Sequence, residues 1–154
     1  MTRARDLADG ADKDITGTLT TDGLTVAGNV SVDSGTIKLD GNYPTGSNNV
    51  ALGDAALDDG SLSGANNTAI GAAALTDNTS AGQNTAIGSF AGTNLTTGGL
   101  NVAVGQNALF TATTGTNNVA VGQGSLNALT TASNNTAVGY QSLYSASTVN
   151  GHTA

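Results

Sequence analysis

The sequence is short of most residue types from which catalytic and ligand sites are assembled. It has no cysteine and no tryptophan, one proline, one histidine, three tyrosines and two phenylalanines among 154 residues. Without cysteine there is neither a disulfide framework nor a thiolate metal site. Charged residues make up only 10%, against ~25% in an average soluble protein. The four basic residues, Arg3, Arg5, Lys13 and Lys38, all lie in the first 38 positions. All eleven acidic residues are Asp, the last being Asp77, and no charged side chain follows it. That distribution excludes a basic groove for nucleic acid, which needs clustered Lys and Arg. Beyond Asp77 it also excludes the facing carboxylates of a glycosidase.

Further absences narrow the classes. No apolar run approaches the ~18 residues of a membrane span, so membrane insertion is not expected. The opening MTRARDLADGAD has no apolar stretch after its arginines and does not read as a secretory signal peptide. Asp58-Asp59-Gly60 lacks the ligand order of an EF-hand and reads as a turn. There is no Gly-Lys-Ser/Thr phosphate loop, and His152 has no acid or nucleophile identifiable beside it. The expectation is a protein with no catalytic residues, no cofactor and no metal.

What is present is repetition. The phrase NTAIG at Asn84 returns as NVALG at Asn49, NTAIG at Asn67, NVAVG at Asn101 and Asn118, and NTAVG at Asn135. The closing glycines, Gly53, Gly71, Gly88, Gly105, Gly122 and Gly139, are spaced by 18 and then four times by 17 residues. Four residues after each lie Leu57, Leu75, Gly92, Leu109, Leu126 and Leu143. A fixed period of this kind is the signature of a repeat architecture. Seventeen residues after Asn135 stands His152-Thr153-Ala154, the opening of another copy, which predicts that the natural polypeptide continues.

Residues 15–47 follow another pattern. Short alternating pieces such as Leu24-Thr25-Val26 and Val30-Ser31-Val32 are separated by Gly-containing turns, a signal for short strands. Strands this short need lateral partners. Pro44 falls at the joint with the repeat array. Three segments are therefore expected: a charged segment at 1–14, a short-strand β shaft at 15–47, and a β-solenoid array at 48–154.

Alternate residues of a strand share a face. One face of the pentapeptide carries Asn, Ala and Gly; the other carries Thr or Val, then Leu52, Ile70, Ile87, Val104, Val121 and Val138 at the fourth position. Because the fourth position is always aliphatic, it is expected to fill the solenoid core, joined by Leu57, Leu75, Leu109, Leu126 and Leu143. Phe90 and Phe110 are expected to fill the core as well, and Tyr140 and Tyr144 to pack beside Leu143. Asn49, Asn67, Asn84, Asn101, Asn118 and Asn135 are expected to stack as ladders at the turns. The glycines supply a tight corner, and Asp54-Ala55-Ala56-Leu57 reads as a short helical turn. A coil this thin, with so few large side chains, calls for stacking and lateral association.

The pentapeptide N-[VT]-A-[ILV]-G resembles the head repeat of trimeric autotransporter adhesins, a trimer of parallel β-rolls. The run NNTAVGYQSL at 134–143 is similar to repeats of bacteriophage tail-fibre proteins, and TGTLTTDGLTVAGNV resembles their shafts. The repeat is longer than is usual in the adhesin heads. The tail-fibre resemblance implies an all-β, trimeric fibrous assembly that is a structural part of a virion, put together in the host cytoplasm. It implies that the first segment, with Arg3, Arg5, Asp6 and Leu7, docks on other tail proteins, and that the distal part reaches a host-surface receptor. The alternative reading is a trimeric cell-surface adhesin head. An ice-binding solenoid fits less well, because the second-position threonines, Thr68, Thr85 and Thr136, are interrupted by Val50, Val102 and Val119.

Overall fold

A computed structural model describes residues 47–59, 61–148 and 150–154; the expected docking segment and all of the expected shaft but residue 47 lie outside these. Six strands of three residues stack in sequence order: β1 (Val50–Leu52), β2 (Thr68–Ile70), β3 (Thr85–Ile87), β4 (Val102–Val104), β5 (Val119–Val121) and β6 (Thr136–Val138). All pairings are parallel and in register, so that Ala69 faces Ala86 and Ile70 faces Ile87. Each pentapeptide is thus one rung of a β-solenoid that advances by one coil every 17 residues. Thr153 bridges to Thr136 beside β6, so residues 152–154 occupy the place of a seventh rung.

The two faces of the rung are divided as the alternation requires, but the inward one is the Asn–Ala face. Ala69, Ala86, Ala103, Ala120 and Ala137 are buried, and so are all six repeat asparagines. Leu52, Ile70, Ile87 and Val138 are exposed, and Val104 and Val121 half-exposed, on the outer face. Of the two columns expected in the core, only that of Leu57, Leu75, Leu109 and Leu126 is fully buried, with Leu143 partly so. The physical reason lies in the asparagines. Each side-chain Oδ1 accepts the backbone N–H of the Asn one coil on, as from Asn118 to Asn101 at 2.9 Å. From Asn49 to Asn118, each Nδ2 donates to a carbonyl three residues before that same Asn, as Asn101 does to Gly115 at 2.9 Å. The asparagine therefore clamps both ends of the segment that enters the next rung. Those backbone groups are inside, so the Asn face must be inside, and the fourth position is forced out.

Three columns of each coil adopt a left-handed backbone; sixteen non-glycine residues have positive φ among the described residues. Ala55 and Leu57 are among them, so the expected right-handed helical turn at 54–57 is instead a turn through left-handed conformations. Leu57, Leu75, Leu109 and Leu126 sit at φ between 50° and 53°, which costs about 1–2 kcal/mol each. Burying a leucine gives back about 1.5–3 kcal/mol, so burial wins. Where Gly92 replaces the leucine, methyl carbons of Leu75 and Leu95 come within 3.0 Å of the absent Cβ position and fill the space. The pentapeptide glycines have φ of 124–138° and touch one another along the stack: a Cβ on Gly105 would lie 2.6 Å from the carbonyl carbon of Gly122.

One core residue departs from this economy. Asn78 is fully buried with neither amide atom hydrogen-bonded to protein. It is aligned with Leu62, Leu95 and Leu129, which are buried.

Four outcomes follow for stability, all read by guanidinium unfolding. Asn101→Ala strands the Asn118 N–H and the Gly115 carbonyl, at about 1–3 kcal/mol for each buried group, so a loss of about 2–6 kcal/mol is expected. Asn101→Asp has no donor for Gly115 while ionised, and burial raises its pKa; its deficit against the natural protein should shrink as pH falls and the carboxyl regains a proton. Gly105→Ala should cost about 2–6 kcal/mol from strain plus clash, whereas Gly139→Ala, whose Cβ would meet only Ser142 at 3.9 Å, should cost only the backbone strain of about 1–3 kcal/mol. Asn78→Leu removes an unpaired buried amide and should stabilise by about 1–3 kcal/mol.

Candidate functional site

The feature that the coil itself does not consume is the outer face of the sheet. Two residues per rung point there. The second position, Val50, Thr68, Thr85, Val102, Val119 and Thr136, is half-buried. The fourth position stands further out: Leu52 is 45% and Val138 59% exposed at the two ends of the sheet. The result is an aliphatic and threonine stripe, without charge, crossing all six strands. Parallel sheets are ordinarily covered on both faces, and a contiguous apolar patch on a surface marks an interaction. Here the inward face is covered by the chain's own leucines and alanines. The outer face is left for something else.

The remaining residues singled out from the sequence fall elsewhere. The six asparagines and their glycines occupy rungs and corners as structural elements; the asparagines are buried and stack from coil to coil, each satisfying backbone groups of the next. The exposed Asn column is a separate one, the residue before each rung: Asn48, Asn66, Asn117 and Asn134, all left-handed and exposed. Leu100 stands in this same column, left-handed and exposed. Phe90 does not fill the core: it is 42% exposed, and Phe110 half-buried, the two rings meeting edge to face at 6.3 Å. Burial of the coil interior by Ala and Leu leaves no room for a ring. Tyr140 and Tyr144 are also exposed, Tyr144 lying over the place where Gly124 has no side chain.

A hydroxyl ladder escaped sequence reasoning altogether. Thr79, Thr96, Thr113 and Thr130 each donate through Oγ1 to the carbonyl of the equivalent residue one coil on, at 3.0–3.3 Å. Its signal was present as a Thr or Ser eight residues after each glycine from Gly71 onward. The ladder ties each coil to the next close to the carbonyl that the Asn amide grips and is structural.

Titratable chemistry is sparse. The Asp59 carboxylate accepts the Ser61 hydroxyl and the Ser61 N–H, which hold its pKa below the usual carboxylate value. This is a turn within the first coil, and Asp59 is half-buried there. Among the described residues no group of three or more His, Asp or Glu is placed to hold a metal ion. None of their helices is long and apolar enough to cross a membrane. No protein-family profile, curated protein or solved structure matches the chain.

Proposed function

We propose that this chain is a structural fibre segment that works as a homotrimer, of the kind found in bacteriophage tail fibres. The observation that carries the reading is the uncharged aliphatic ladder of Leu52, Ile70, Ile87, Val104, Val121 and Val138, turned to solvent on a sheet whose other face is already packed. A partner must match a repeat of ~4.8 Å, the spacing of neighbouring strands, on every rung. A second copy of the same chain meets that condition by construction, and closed cyclic symmetry limits the assembly. The resemblance of the pentapeptide to trimeric heads and tail fibres supplies the number three.

In this reading the repeats set length and stiffness and perform no chemistry. The charged first segment, with Arg3, Arg5, Asp6 and Leu7, docks on tail proteins, residues 15–47 form a short-strand shaft, and the distal part is carried toward the host surface. The virion is the site of action, with assembly in the host cytoplasm. The cell-surface adhesin head remains the second reading, since it rests on the same pentapeptide.

Light scattering over a range of concentrations reads the assembly directly. A constant mass near three times 14.9 kDa is expected. Replacing Ile87 and Val104 together by Asp should lower it to one chain while the β-type circular dichroism persists, because both side chains point away from the coil interior. A natural chain at 14.9 kDa at all concentrations would exclude the trimer.

A further inference from the structure

All four aromatic rings of the described residues rise from one corner of the coil, the segment after the glycine column. Phe90 stands two residues past Gly88, Phe110 five past Gly105, and Tyr140 and Tyr144 one and five past Gly139. Tyr140 is 70% exposed, and Tyr144 and Phe90 are exposed as well. These are different residues from the aliphatic ladder. Phe90 also carries strain: its φ is 59°, in a column otherwise filled by Ala55, Ala73, Asn107, Gly124 and Gln141. A left-handed backbone costs an L-residue about 1–2 kcal/mol, and the edge-to-face contact with Phe110 returns about 0.5–1.5 kcal/mol of it. The ring is still 42% exposed, and backbone strain of this sort collects at functional positions.

The chemistry between the rings is equally selective. Gln106 and Gln123 occupy the intervening coils at the position of Tyr140, and both are exposed. No charged side chain occurs after Asp77, so the corner from Phe90 to Tyr144 is neutral throughout. Three coil spacings of ~4.8 Å place these rings over about 14 Å along the stack.

We propose that this corner binds a neutral carbohydrate chain. Sugar rings offer apolar C–H faces that lie on aromatic planes, and hydroxyls that pair with amides able to donate and accept at once. A polyanion finds no counter-charge here. The inference is independent of the trimer: it concerns other side chains and holds for one chain or three.

The full chain is run in native gels cast with dextran, mannan or hydroxyethylcellulose and compared with plain gels. Retardation by at least one of these polymers is expected. The Phe90→Ala, Tyr144→Ala double variant should weaken it at least tenfold, and Tyr140→Ala, which alters an exposed ring without touching the Phe90–Phe110 pair, at least threefold. Light scattering should give both variants the same mass as the natural chain. No retardation in any of the three polymers, or full retardation of both variants, overturns the proposal. A fall in mass on removing the rings does so too, and assigns the corner to contact between chains.

Discussion

The structure depends on one hydrogen-bonding device, a buried asparagine amide that grips the next coil at two points. Its oxygen takes the N–H of the following Asn and its nitrogen gives to a carbonyl three residues earlier. A coil of small residues has little apolar burial to offer. The core is largely alanine with about one leucine per coil in each of two columns, and aromatic rings, which dominate ordinary cores, are outside. Under those conditions register has to come from directed bonds. Asn is the residue that offers one acceptor and one donor on a short stem without charge. Aspartate lacks the donor, and an alkyl residue lacks both.

Once the clamp fixes the rung, much else is obligatory. The chain must turn sharply after the fourth residue, and the glycines do this at φ values near 130°, those from Gly53 to Gly122 stacking too closely for a Cβ. Left-handed residues then bring a leucine back inside, at a backbone cost smaller than the gain from burying it. The Thr ladder adds a further hydrogen bond from each coil to the next. The aliphatic fourth position is what remains outside. The same geometry that makes a single coil self-consistent thereby produces a continuous apolar stripe on the outer face.

The repeat, its period, the strand positions and the role of the second leucine column were legible in the sequence, because each is a spacing. The division of the pentapeptide into two faces was legible too. Which face turns inward was not. An invariant aliphatic position reads as core by the usual association of apolar with buried, and that association overlooks the backbone partners that draw the asparagines inside. Asn inside and Ile outside is the reverse of single-chain expectation, and only the backbone partners of Asn101 and its equivalents reveal it. The aromatic residues misled for the same reason: Phe90 and Phe110 looked like core filling, yet the coil interior admits no ring. The hydroxyl ladder went unread, because a Thr or Ser at a fixed place in a polar turn does not by itself show that its Oγ bonds the next coil. Residues 1–46 lie outside those described.

The central claim is that Ile87 and its equivalents face one another between copies of the chain. The natural sequence has no cysteine, so a single Ile87→Cys variant carries a unique reporter. Mild oxidation should join chains through this position into disulfide-linked pairs, and an alkylating reagent applied first to the folded protein should leave the thiol largely unmodified. A thiol that alkylates freely and forms no disulfide would contradict the account, since Ile87 would then face water in the native assembly.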